Sequence, residues 1–205
     1  MIHKTWTKIA ALAIPLVWTV AAANAPTVSQ ADRQKALRYL STTRTGVLDS
    51  VEGLSEAQWN FKPAPGRWSI AEVVEHLALT ENFLNESVLS RIAQAPAAPL
   101  DRDWAALDAN ILAQVPDRTT RYKAPEMIAP TGRWTHRQSL DKFLAARAST
   151  IDALKSSAEL RAHLVKHPAF GDLDGYQWIL AVAAHSERHT KQILEVKADP
   201  NFPAK

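Results

Sequence analysis

Four stretches of this chain repeat apolar residues every three to four positions, and no stretch alternates convincingly in the two-residue rhythm of a strand. That pattern restricts the fold to helices packed on helices. The first stretch runs from about Ser29 to Val51, with Leu37, Leu40, Val47, Leu48 and Val51 on one stripe. The second opens at Trp68-Ser69-Ile70-Ala71-Glu72. Ser69 and Glu72 have the spacing of a capping box, and Trp68 with Val73 can form the hydrophobic staple. This stretch continues through Val74, Leu77, Phe83 and Leu84 to about Ile92. The third covers about Arg137 to Leu154, with Leu140, Phe143, Leu144, Ile151 and Leu154 in register. The fourth starts after Asp174, which makes a second capping box with Gln177, and runs to about Lys197 before Pro200 stops it.

Pro/Gly-bearing connectors separate these stretches, among them Lys62 to Gly66 and Pro125 to Gly132. The longest, about residues 93–136, holds one short amphipathic piece around Trp104, Leu107 and Ile111. Four helices with one long crossover in the middle predict an all-α four-helix bundle whose second and third helices run parallel.

The N-terminus reads differently. A basic start with Lys4 and Lys8 precedes the apolar run Ile9 to Val20 and the small residues Ala21-Ala22-Ala23, the layout of a secretory signal peptide. The apolar run is too short to span a bilayer. A cut after Ala23 keeps Pro26 clear of the cleavage site and leaves one domain over residues 24–205. The expectation is an exported protein without a stable membrane span, periplasmic in a two-membrane bacterium. Losing Lys4 and Lys8 and no acid takes the formal charge from +3 to +1. Apart from short clusters such as Arg118 to Lys123, basic residues are interspersed with acids, which argues against nucleic acid as a partner. There is no cysteine, hence no disulfide framework and no thiolate metal site.

The chemistry-bearing feature is His185-Ser186-Glu187-Arg188-His189 on the fourth helix. Residues four apart share a helix face about 6 Å apart along the axis, so two imidazoles can meet one metal ion. Trp178, Val182, Ile193 and Val196 share that face, which turns the pair inward. His76, on the buried side of the second helix, can complete a set of three nitrogens with an open coordination position. Ser186 stands where zinc proteases carry the glutamate of His-Glu-x-x-His, and Glu187 points away, so peptidase chemistry of that type is disfavoured. Glu72 is engaged in the cap, and Glu75 points about 100° off the ligand face. Gln192, three residues after His189, is a candidate partner for an imidazole, and Arg188 either meets an anionic substrate or is a surface charge. His163 and His167 have the same spacing as the pair, but Pro168 disfavours helix at His167, so both are expected at the end of the third helix or in the loop. His136 reads as surface or pocket rim. Trp59, Trp104 and Trp134 read as aromatics packed in loops.

The run Trp59 to Leu77, with Trp68-Ser69 ahead of a helix carrying His76, and the closing stretch Gly171 to Pro203, with His185, His189, Gln192 and Ile193, resemble the DinB-like (YfiT-like) superfamily over essentially the whole mature chain. The resemblance implies an up-down-down-up four-helix bundle and a divalent metal, zinc or nickel, on His76, His185 and His189. It also implies a homodimer. Its members include thiol S-transferases and proteins described as metal-dependent hydrolases. Export removes this chain from the cytosolic thiol pool, so hydrolysis of a small molecule is the expectation. A non-catalytic metal-bound scaffold of the cell envelope and a thiol-dependent S-transferase stand as alternatives.

Overall fold

The computed structural model describes residues 27–205, and the expected signal segment lies outside the described residues. Six helices and one hairpin follow in order: α1 (Gln30–Val51), α2 (Glu56–Asn60), α3 (Ile70–Phe83), α4 (Trp104–Gln114), α5 (His136–Ser156), β1 (Leu164–His167), β2 (Gly171–Asp174) and α6 (Gly175–Lys197). Among the described residues no helix is long and apolar enough to cross a membrane.

Local chemistry sets the helix starts. Ser29 caps α1 by accepting from the Asp32 amide. Capping boxes open α3 at Ser69/Glu72 and α6 at Asp174/Gln177, as expected. Two further boxes were not foreseen, at Ser55/Gln58 on α2 and Thr135/Gln138 on α5. The second periodic stretch does not stay α-helical to its end. A π-helical turn takes over at Leu84–Val88 and a 3-10 segment at Leu89–Gln94. There the Asn85 side-chain amide reaches the Glu81 carbonyl, the Ala146 carbonyl and Thr150, so a side chain bridges the last turn of α3 to α5.

Four long helices form the bundle. Along α3 and α5, Leu77 clusters with Phe143, Glu81 meets Arg147 and Asn85 meets Thr150, so the two run side by side in the same direction. Tyr176 donates to the Asp32 carbonyl, Tyr39 to Glu187, and Lys197 to the Ser50 carbonyl, which gives α1 and α6 a common direction too. α6 is buried nearly all round, because α4 and the segment after it cover the side that the bundle leaves open. Ile111 and Val115 from that segment join the largest apolar cluster, with Leu40, Leu84, Ile179 and Leu180.

One polar group crosses this core. Arg147 of α5 is fully buried and forks onto Glu81 of α3 at 2.6 and 2.8 Å. It also donates to the Leu40 carbonyl and Thr43 of α1 and to Ser186 of α6. A single guanidinium therefore touches all four long helices, with Ser186 directly after His185.

The hairpin departs from the expectation that no strand is present. Leu164 pairs with Asp174 and His167 with Gly171, antiparallel around Pro168-Ala169-Phe170. Strands of four residues are too short to show alternation. Pro168 does exclude helix, and Gly171 at φ 71° supplies the turn. Arg161 ties the hairpin to α4 by pairing with Asp174 at 2.8 Å and Asp108 at 2.6 Å.

Candidate metal centre

Antiparallel packing of α3 on α6 brings His76 to the His185/His189 pair. The three Nε2 atoms converge: His185 Nε2 lies 3.1 Å from that of His76 and 3.0 Å from that of His189. Those separations are a few tenths of an ångström under the roughly 3.3 Å between nitrogens sharing a tetrahedral zinc at ordinary bond lengths. His76 is 3% exposed and His189 6%. Trp68, held at the mouth of α3 by the Ser69 cap, covers His76 at 4.8 Å and stacks near His189 at 6.2 Å.

Hydrogen bonds decide the tautomers of two rings. His76 Nδ1 lies 2.7 Å from the Ile128 carbonyl, which can only accept, so Nδ1 carries the proton. His189 Nδ1 lies 2.8 Å from Gln192 Oε1 and donates to it; Arg118 donates to the same oxygen at 3.4 Å, which fits its assignment as the carbonyl end. Both rings therefore turn an Nε2 lone pair inward. One N–H on His185 Nε2 can satisfy only one of them. A divalent cation satisfies all three, and a set of neutral imidazole nitrogens is a fit donor set for one. With its Nε2 lone pair inward, His185 carries its proton on Nδ1, which is buried without a hydrogen-bond partner. Burial also keeps these rings neutral. It holds His76 down at about 4, against the opposing Ile128 hydrogen bond, and holds His185 and His189 well below their ordinary value, where repulsion from neighbouring rings and cations adds to it.

The Ile128 carbonyl is itself held in place. Glu75, buried beside His76, accepts from the Thr131, Gly132 and Arg133 amides and pairs with the Arg133 side chain at 3.3 Å. Glu75 does point off the ligand face, and its work is to clamp the loop that orients a ligand. Glu72 remains in the cap, with Lys62 on its outer oxygen.

The triad sits in the wall of a cavity of about 830 Å³. Arg188 belongs to that wall and is not a surface charge: it is buried and donates to the Val115, Asp117 and Thr120 carbonyls. His167 lies in β1, not at the end of α5 or in a loop, and lines the same cavity. Its Nδ1 accepts from the Ala169 and Phe170 amides, so Nε2 carries the hydrogen, and the ring packs on Trp178 at 4.6 Å. His163 is elsewhere, bonded to the Ala95 carbonyl at 2.7 Å. His136 stacks on Trp59 at 4.6 Å and lines a separate, smaller hollow. Trp59 and Trp104 are not in loops: they lie in α2 and at the start of α4, outside the lining of the histidine cavity, and Trp134 borders that smaller hollow.

Sequence reasoning missed His167, the Glu75 clamp and the Arg147–Glu81 pair. Signals existed for the pair: Arg147 sits four residues from Phe143 within the apolar stripe of α5, and Glu81 four from Leu77 in that of α3.

One sequence relative and two solved structures are similar to this chain. YuaE, an uncharacterized protein of Bacillus subtilis (strain 168), is 28% identical over 165 residues, covering 78% of this chain and 96% of that protein. TT2238, described as a four-helix bundle protein, superposes with a TM-score of 0.53 at 21% identity, covering 80% of this chain and 98% of its own. YfiT from Bacillus subtilis, described as "a probable metal-dependent hydrolase with an unusual four-helix bundle topology", superposes with a TM-score of 0.54 at 14% identity, covering 86% and 91%. Residues 39–193 match the DinB superfamily, and with the helical bundle around its three converging histidines this chain belongs to that family.

Proposed function

We propose that this protein is an exported metal-dependent hydrolase of a small molecule, with His76, His185 and His189 holding one divalent cation, zinc or nickel. The observation that carries the reading is the set of three buried Nε2 atoms, two with inward lone pairs fixed by their hydrogen bonds, in the wall of a large cavity. When bound, a divalent ion on a nitrogen-only set keeps its full charge and supplies Lewis acidity toward a substrate oxygen and an acidified water.

The chain's own residues do the rest. The Ile128 carbonyl and Gln192 fix two of the rings. Trp68, Phe83 and Trp178 give the cavity apolar walls that exclude water around a bound molecule. His167 offers a neutral N–H donor to a substrate oxygen. The hydrolase description of YfiT supports the chemistry as an analogy on the same fold.

A second reading, a metal-bound scaffold without catalysis, is favoured by one observation. Among the described residues no Asp or Glu lines the cavity, so no carboxylate stands ready as a proton acceptor.

The test joins metal content to a substrate screen. Reconstituted protein should hold close to one ion per chain by elemental analysis; His185→Ala and His189→Ala should each lose most of it, and His163→Ala should keep it. Esters, amides, lactones and phosphoesters are then compared between wild type and His189→Ala, with a thiol-plus-electrophile arm. Hydrolysis lost in the variant supports the proposal, activity only with thiol points to transferase chemistry, and silence throughout points to the scaffold. Export is tested by N-terminal sequencing, expected to start at Asn24; intact Met1 in the cytosolic fraction contradicts it.

A further inference from the structure

The basic run Arg118 to Lys123 forms part of the wall of the histidine cavity. Arg118, Arg121 and Lys123 line it together with Arg67 and Arg188, and among the described residues no acid does. The nearby carboxylates leave this wall positive. Glu195 holds Arg118 in a two-pronged pair at 2.6 Å and lies 3.8 Å from Arg67, so one acid serves two cations. Arg121 and Lys123 are exposed and stand in none of the ion pairs among the described residues. Arg188 is 8% exposed and its hydrogen-bond partners are main-chain carbonyls; Asp117 and Glu195 are the acids close enough to act on it, so five basic side chains of the wall still outnumber two acids.

This positive wall adjoins the triad. Arg118 and His189 both donate to Gln192 Oε1, so one side-chain oxygen separates the basic segment from a candidate ligand. Much of the rest of the lining is apolar and aromatic, including Trp68, Phe83, Phe170, Trp178 and Val182.

We infer that the molecule taken into this cavity is a small organic oxyanion, a carboxylate or phosphate monoester on a flat apolar body, with its charge on the Arg118–Lys123 wall and its body against Trp68 and Trp178. The inference deepens the hydrolase reading and rests on it for where the chemistry happens. Guanidinium groups match the planar geometry of carboxylate and phosphate oxygens. A cleft with apolar walls and one sign of charge focuses the field on an entering anion. A neutral molecule gains only the apolar part of the site, and a cation is repelled.

The experiment is calorimetric titration of the zinc-loaded protein with 1-naphthoate, 1-naphthyl phosphate and the neutral 1-naphthylmethanol, repeated on chelator-treated protein and on R121A/K123A. At least one anion is expected to bind roughly tenfold or more tighter than the alcohol, as one or two charge-assisted hydrogen bonds allow. The gap should shrink as salt is raised. The two anions distinguish a carboxylate from a phosphate preference. R121A/K123A should lose most of the gap with alcohol affinity and melting temperature unchanged, since both side chains are exposed. Equal affinity for the alcohol, a gap untouched in R121A/K123A or abolished by chelation alone, or no binding of any naphthyl compound overturns the inference. Anion preference in a protein that takes up no zinc leaves this inference standing and removes the metal reading. Zinc uptake without anion preference does the reverse.

Discussion

Gln192 is the side chain through which the histidine site meets its surroundings, since it accepts from His189 on one side and Arg118 on the other. Gln192→Ala leaves His189 free to turn and is expected to weaken metal affinity about 10- to 100-fold with helix content unchanged, measured by chelator competition. The same affinity should be nearly independent of pH from 8 down to about 5. An ordinary histidine takes up protons below about 6.5 and begins to release metal there. Here burial lowers His76 to about 4 and holds His185 and His189 well below their ordinary value, so protons compete only in stronger acid. In the metal-free protein the sign is the same. The stability from a neutral His76 is complete above about 6.5, and is lost as pH falls through about 4. A metal-affinity midpoint near 6.5 would mean that the rings are solvated.

At the scale of elements, the loop before α5 and the hairpin before α6 each deliver one group to the site. Glu75 anchors the first by three amides and the Arg133 side chain. Glu75→Ala leaves those amides without their acceptor, at a cost of about 1–3 kcal/mol, and frees the Ile128 carbonyl from His76. The expected result is a lower melting temperature together with weaker metal binding. The hairpin is held by Asp174, which caps α6 through the Gln177 amide and pairs with Arg161. Asp174→Ala removes a cap and a buried partner at once, for a loss of about 2–4 kcal/mol in a denaturant melt. His167 rides on that hairpin without joining the triad, so His167→Ala should keep the metal and lose affinity for substrate.

For the whole molecule, the Arg147–Glu81 pair sets the polar centre of the bundle. Both side chains are at most 1% exposed, so breaking the pair strands a charge in the core. Arg147→Met is expected to cost about 3–5 kcal/mol, read from chemical denaturation. The double variant R147M/E81L should recover most of that loss, because two apolar groups replace a buried pair with no orphan charge. An R147M/E81L protein no more stable than R147M alone would show that the contacts of Arg147 with Leu40, Thr43 and Ser186 matter more than the pair.

The sequence by itself determined the four long helices, the caps of two of them and the inward face bearing His76, His185 and His189. Each of these is written in short-range periodicity: Ser69 three residues before Glu72, Asp174 three before Gln177, and His185 four before His189. The described residues place those three rings together and put Gln192 on His189, as the spacing allows. Tertiary structure alone decided the rest, because the partners are far apart in the chain. Arg147 meets Glu81 across 66 positions, His76 meets the Ile128 carbonyl across 52, and Arg188 meets the Asp117 carbonyl across 71. No local rule links such residues; they become neighbours only when apolar burial drives the helices together and every buried donor must find an acceptor. The hairpin was illegible for a related reason. Four-residue strands such as Leu164 to His167 carry too little pattern of their own, and the Ala162–Ala98 and Leu164–Pro96 backbone bonds and the Arg161–Asp108 pair that hold this one come from distant segments.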